Sequence, residues 1–326
     1  MLHKFNVKID EGSLSMYLRN SDLNNTESLI YNNKKDEIVN KIKSIAVVDD
    51  VKKEVKIKHE DILNDWFPES GCHVFLSHSH QDRNIAIKIA NYLYQNYKIK
   101  TFIDSDFWQF VDDAISDINN EYSKCPAPQD HLLRYDSCLM VGTNFYLTLS
   151  NALMDAIDKS DCCLFLNTEK SIKKIGEEVE VTYSPWIYTE LNILEKIRIN
   201  PHKDRDALFS AGLENMGIEL EKAFTSNSKV IAESRKVSVE YIVDPSFKLS
   251  TIDSDTFGLI LSSPHDVVSD YEDIGNRITS ITMNANLQIK SEDIMAINYL
   301  DRLYAFIFEK LPKESVSTPV LVPRTF

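Results

Sequence analysis

His73-Val74-Phe75-Leu76-Ser77-His78-Ser79-His80-Gln81-Asp82 is the stretch from which the fold of this chain is read. Val74 to Leu76 is a short apolar run of the kind that forms a strand buried on both faces. Ser79 to Asp82 has the form of a capping box with Asp in place of the usual Glu or Gln, and Ile85, Ile89 and Leu93 then repeat at helical spacing. Ile99-Lys100-Thr101-Phe102-Ile103-Asp104 is a second strand. A helix-period segment from Asn144 to Lys159 leads to a third, Cys162-Cys163-Leu164-Phe165-Leu166-Asn167.

Strand and helix therefore alternate, which predicts an α/β fold with a doubly wound, mostly parallel five-stranded sheet. Val237 to Asp244 alternates and is expected as the fourth strand, with Phe257 to Leu261 as the fifth. Ser291 to Leu311 reads as a long final helix. Residues 1–70 carry short alternating pieces (Phe5, Val7, Ile9) and no motif, so they are expected to be an N-terminal extension. The domain then runs over 71–311, with insertions near 105–143 and 200–228, and 312–326 is a C-terminal tail. Ligands of such sheets sit beyond the carboxyl ends of the strands, which points to Ser77, His78, Asp104 and Asn167.

The chain has 326 residues and a formal net charge of −14. That balance argues against nucleic acid as a partner, because phosphate binding needs a concentrated basic face. Lys52 to Lys58 alternates with Val, Glu and Ile and reads as a solvated strand edge. No apolar run reaches the length of a membrane span, and the N-terminus lacks a signal-peptide core. Five cysteines without paired spacing suggest reduced thiols and a cytoplasmic location. There is no C-x-x-C, no P-loop and no G-x-G-x-x-G, so a thiolate zinc site and a Rossmann-type glycine loop are not expected.

The helix Ser184-Pro185-Trp186-Ile187-Tyr188-Thr189-Glu190-Leu191-Asn192-Ile193-Leu194 carries the most informative polar residue. Ser184 suits the N-cap and Pro185 the first helical position. At about 100° per residue, Glu190 falls inside the apolar arc formed by Trp186, Ile187, Leu191, Ile193, Leu194 and Ile197. A carboxylate placed there needs a partner, a cleft or a substrate. A buried Arg or Lys, or a backbone group to cap, would satisfy it equally well. Two other chemistries have partial signatures. His78-Ser79-His80-Gln81-Asp82 fits the H-x-H-x-D of di-metal hydrolases, but Arg83 stands where a further His is needed. The serines after strands lack a G-x-S-x-G elbow, and Cys162-Cys163 is most simply core.

Four segments, in order, resemble the TIR (Toll/interleukin-1 receptor) domain. Val74-Phe75-Leu76-Ser77-His78-Ser79-His80-Gln81-Asp82 is similar to its opening strand and loop. Thr101-Phe102-Ile103-Asp104 resembles its second strand and Asp161 to Asn167 its third. Ser184-Pro185-Trp186-Ile187-Tyr188-Thr189-Glu190-Leu191 resembles the S-x-W-x-x-x-E-L signature of the enzymatic members. The resemblance implies a flavodoxin-like TIR fold and an NAD+ glycohydrolase or ADP-ribosyl cyclase, of the bacterial phage-defence type. NAD+ is then substrate, no cofactor or metal is required, and self-association through TIR surfaces is expected. It makes Glu190 the catalytic carboxylate and Ser77, His78, Asp104, Trp108 and Trp186 candidate substrate contacts. Trp108 has two open roles, stacking on a ligand base or anchoring the insertion. A non-catalytic TIR assembly module is the alternative, and a di-metal hydrolase using His78, His80 and Asp82 a more distant one. The chain departs from the TIR pattern after the second strand, where Ser105 onward replaces a short turn by a long insertion.

Overall fold

A computed structural model describes residues 1–10, 47–49, 54–56, 71–175, 179–198, 202–205, 241–243, 249–262 and 290–311, with backbone alone at 47–49, 54–56, 106–110 and 291. Its strands are β1 (His3–Lys8), β2 (Val47–Asp49), β3 (Glu54–Lys56), β4 (Val74–Ser77), β5 (Thr101–Ile103), β6 (Cys162–Asn167), β7 (Lys173–Ile175), β8 (Val179–Thr182), β9 (Tyr241–Val243) and β10 (Ser250–Ile252). Its helices are α1 (Arg83–Tyr97), α2 (Ser105–Tyr122), α3 (Tyr135–Lys159), α4 (Pro185–Lys196), α5 (Ser254–Ser262) and α6 (Ser291–Lys310). The main sheet has five strands, all parallel, in the order β10-β1-β6-β4-β5.

Alternation along the strands builds the two faces of this sheet. Val74, Leu76, Ile103, Cys162, Leu164 and Leu166 point to one side, where they pack with α1, α5 and α6. Phe75, Phe102, Cys163 and Phe165 point to the other, where Leu153 and Ile157 of α3 and Ile187, Leu191 and Leu194 of α4 cover them. Strands β4, β5 and β6 are buried on both faces, which is why these segments read as continuous apolar runs. The sheet is thus doubly wound, as the strand–helix alternation predicted.

Three expectations are corrected. The first ten residues are not part of a separate extension: β1 lies inside the sheet, paired along His3–Lys8 with β6 and on its other edge with β10. Phe5 and Val7, the alternating residues of that segment, are fully buried. The described part of the expected fourth strand, Tyr241–Val243, does form a strand, but it pairs antiparallel with β8 in a separate three-stranded sheet. Phe257 to Leu261 lies within helix α5, where Asp253 Oδ1 accepts from Thr256 N–H at 2.7 Å. A five-residue apolar run does not separate buried strand from buried helix, and here the acceptor at its N-terminus decides for helix.

The insertion near 105–143 is mostly helical. Helix α2 begins at Ser105, directly after β5, and α3 begins at Tyr135, nine residues before the expected start. Val111, Ala114 and Ile118 of α2 pack on Phe145 and Leu149 of α3 in a small core of their own. The final helix falls as expected, and β2 and β3 make a two-stranded antiparallel ribbon that includes part of the Lys52–Lys58 stretch. The insertion near 200–228, save residues 202–205, and the tail 312–326 lie outside the described residues.

Candidate active site

Face parity brings three distant residues together. Ser77 lies two positions beyond Phe75 and Asp104 two beyond Phe102, so both continue the face that α4 covers. The pairing Phe75 with Phe102 and Leu76 with Ile103 sets Ser77 and Asp104 side by side at the carboxyl ends of β4 and β5. Helix α4 starts as its sequence indicated: the Ser184 side chain accepts from Ile187 N–H at 3.3 Å, and Pro185 follows it. Ile187, Glu190, Leu191 and Leu194 form its buried stripe, so Glu190 stands in the middle of the apolar face.

Glu190 is fully buried, and its Oε2 accepts a short hydrogen bond from Ser77 Oγ. Among the described residues it forms no ion pair with Arg or Lys, and its Oε1 has no hydrogen-bond partner. Burial, then the charge of Asp104, raises the pKa of Glu190 well above its usual value. The Ser77 bond opposes that rise. A carboxyl group that is dry, beside a second carboxylate and without a cation is costly for stability, which marks it as a functional candidate.

His78 and Asp104, expected as substrate contacts, are both buried and lie against each other. His78 Nδ1 lies 3.0 Å from Asp104 Oδ1 and 3.1 Å from the Leu76 carbonyl oxygen. Its Nε2 meets Ser105 Oγ at 2.8 Å. Trp186 is half-buried at the edge of the stripe, and its ring centroid lies 5.9 Å from that of Tyr146 on α3. The side chain of Trp108 lies outside the described residues, although its backbone belongs to α2.

Two supporting residues carry no motif. Lys4 of β1 donates through Nζ to the carbonyls of Leu194 and Ile197, the latter at 3.2 Å, and so caps the end of α4. Ser105 holds the far side of His78. Lys4 was readable only as an inward-pointing cation opposite the Phe5/Val7 alternation, and Ser105 only as the first residue of an unrecognised helix.

The H-x-H-x-D segment does not converge on a metal site. His80 is exposed, while Asp82 is fully buried and accepts from Thr168 Oγ1 at 2.6 Å and Lys170 Nζ at 3.0 Å. Asp82 stands at the N-cap of α1 without making a side-chain cap bond. A different group, His73, His202 and Asp204, brings three potential ligand atoms within 4.8 Å of one another at the amino end of β4. Its hydrogen bonds disfavour metal. His73 Nδ1 accepts from Lys100 N–H at 3.2 Å, and His202 Nδ1 accepts from Asp204 N–H at 3.2 Å. A ring nitrogen that accepts leaves the proton on the other one, so His73 Nε2–H donates to Asp204 Oδ2 at 3.3 Å.

That group belongs to a clamp holding residues 202–205 to the sheet. Arg205 donates to both oxygens of Asp161, Nε to Oδ1 at 3.0 Å and Nη2 to Oδ2 at 2.9 Å, and reaches Asp301 Oδ1 at 2.7 Å. Tyr304 OH donates to Asp161 Oδ2 at 2.8 Å. Burial alone would raise the pKa of Asp161, but Arg205 and Tyr304 hold it below its usual value.

All five cysteines are free thiols. Among the described residues no helix is long and apolar enough to cross a membrane. No family model, no curated protein and no solved structure matches this chain.

Proposed function

We propose that this chain is an NAD+-cleaving enzyme of the TIR type, a glycohydrolase or ADP-ribosyl cyclase, with Glu190 as its catalytic carboxylate. The single observation that carries the reading is Glu190 itself: a carboxyl group buried in an apolar stripe, bonded by Ser77 and set at the carboxyl end of a parallel sheet. The strand arrangement β5-β4-β6, with the glutamate helix α4 following β6, accords with the resemblance read from the sequence.

The chemistry suits one carboxylate. Nicotinamide leaves a cationic pyridinium as a neutral molecule, so the leaving group needs no acid. The ribose passes through an oxocarbenium-like state, and an anion aimed at it in a dry cleft lowers the barrier. Glu190 is fully buried in this structure, so substrate reaches it only when neighbouring chain moves aside. A cytoplasmic setting, a product derived from ADP-ribose and a role in antiphage signalling belong to the same proposal.

A second reading, an assembly module without catalysis, is favoured by one feature. Tyr135, Leu139, Met140, Tyr146 and Leu147 of α3 are exposed large apolar side chains. Incubation of the purified protein with NAD+, with products identified by mass spectrometry, separates the two readings. Release of nicotinamide by wild type but not by Glu190→Gln supports the enzyme; an unchanged NAD+ pool with self-association supports the module.

A further inference from the structure

A serine, a histidine and an aspartate stand in contact at the carboxyl ends of β4 and β5, apart from the Ser77–Glu190 bond. Ser105 Oγ lies 2.8 Å from His78 Nε2, and His78 Nδ1 lies 3.0 Å from Asp104 Oδ1 and 3.1 Å from the Leu76 carbonyl oxygen. All three residues are buried, with Ser105 3% exposed, His78 2% and Asp104 4%. Ligands of a parallel sheet bind at this end. No G-x-S-x-G elbow announces the set, but a Ser-His-Asp constellation is recognised by geometry and roles rather than by sequence position.

The surroundings of the ring fix its tautomer. A carbonyl oxygen only accepts, so Nδ1 carries the ring proton and donates it to Leu76 O. Asp104 Oδ1 lies beside that bond and supplies a counter-charge for an imidazolium. Nε2 keeps its lone pair and accepts from the Ser105 hydroxyl, the bond of a general base to its nucleophile. Ser105 is also the first residue of α2, a helix of 18 residues. N–H groups of a helix's first turn lack partners within the helix and carry its positive end, and the Asp104 side chain makes no cap bond to them. Donors for a developing oxyanion therefore gather where the nucleophile stands.

We propose that Ser105 is the nucleophile of a further activity, hydrolysis of a small acyl ester, with His78 as its general base and Asp104 as a positioning residue that acts through His78. A bond forms between Ser105 Oγ and the acyl carbon, the hydroxyl proton passes to His78 Nε2, and the oxyanion is held at the start of α2. His78 returns the proton to the departing alkoxide as the C–O bond of the ester breaks. Water, deprotonated in turn by His78, attacks the acyl-serine and frees the acid. Asp104 stands beside the Nδ1–H bond and not at its end, so the imidazolium is less well supported and suits the easier leaving group of an ester rather than that of an amide. The buried position limits the substrate to a short acyl chain, admitted when neighbouring chain moves aside. NAD+ takes no part in these steps, so the activity stands or falls independently of the glycohydrolase reading.

Diisopropyl fluorophosphate, which loses fluoride as a serine oxygen bonds to its phosphorus, tests the nucleophile. The expected result with the purified chain is an adduct that peptide mass spectrometry maps to Ser105, and hydrolysis of p-nitrophenyl acetate that the adduct abolishes. Ser105→Ala, which removes one oxygen, shows neither. His78→Gln acquires the adduct more slowly by about a hundredfold or more. Should His78→Gln fold poorly by circular dichroism, the adduct map and Ser105→Ala carry the test. In Asp104→Asn, kcat for the ester falls while KM holds, a split that loss of structure alone would not give. Absence of the adduct at Ser105, an unchanged ester rate in Ser105→Ala, or a folded His78→Gln that labels at the wild-type rate overturns the proposal. An Asp104→Asn protein with wild-type kcat overturns the share given to Asp104.

Discussion

Ser77 Oγ donates to Glu190 Oε2 across 113 residues of chain, joining the end of the second strand of the sheet in chain order to the middle of α4. The bond exists because two periodicities agree. Ser77 continues the Phe75 face of β4, and Glu190 continues the Ile187–Leu191–Leu194 stripe of α4. A one-residue slip of either element would turn its polar residue away.

Glu190→Gln is expected to abolish NAD+ cleavage while leaving the fold at least as stable. Glutamine keeps an acceptor for Ser77 and removes a buried acid beside Asp104, so the thermal midpoint stays level or rises. A fall of several degrees would show that Glu190 serves a structural ion pair instead.

Two buried histidines are expected to make stability fall on acidification from near pH 6.5. Burial lowers His3 and His202 from 6.5 to about 4. Between those values the unfolded chain binds protons that the folded chain refuses, so the folded state loses ground as pH drops. Asp161 and Asp204, held below their usual values, add a loss in the same direction at lower pH, through their folded pKa values. Glu190 runs the opposite way: its raised folded pKa makes its penalty greatest at high pH and relieves it as pH falls. Urea midpoints at pH 7 and pH 5 check the sign, and His202→Gln, which keeps an acceptor for Asp204 N–H, should narrow the difference.

Lys4→Met is expected to cost about 1–2 kcal/mol, because the last carbonyls of α4 lose a charged donor that also favours the helix C-terminus. Amide exchange in the last turn of α4 should quicken more than exchange in α1. Equal quickening in both helices would deny Lys4 a local role.

Asp161→Asn is expected to cost about 3–5 kcal/mol, since Arg205 would keep a buried guanidinium with half its compensation gone. Chemical denaturation measures the loss, and limited proteolysis near residues 202–205 shows whether the clamp has released. A loss under 1 kcal/mol would reassign the clamp to the surface.

The core of the fold was legible because β4, β5 and β6 are apolar on both faces and separated by helical spacing. The N-cap at Ser184 and the inward Glu190 were legible for the same reason: cap chemistry and helical period are local. What escaped is non-local. The Phe5/Val7 alternation says that His3–Lys8 can be a strand, but nothing in it names β6 and β10 as neighbours. Phe257 to Leu261 is equally apolar as strand or helix, and only the Asp253 cap separates them. His78 and Asp104 were placed correctly at the strand ends, yet their mutual contact depends on the paired register of β4 and β5. Ser105 hides inside a segment that breaks the expected loop pattern.

The central position of β1 has a consequence for how the chain is made. Asn6 hydrogen-bonds Thr251, 245 residues further on, and its other neighbour β6 starts at Cys162. During synthesis the first strand leaves the ribosome long before either partner exists. It waits with both edges unpaired and Phe5 and Val7 bare until Cys162–Asn167 is made, and with one edge unpaired until Ser250–Ile252 follows. Sheet closure is then a late, long-loop event. In the interim the nascent strand offers unpaired edges and apolar side chains of the kind that chaperones shield.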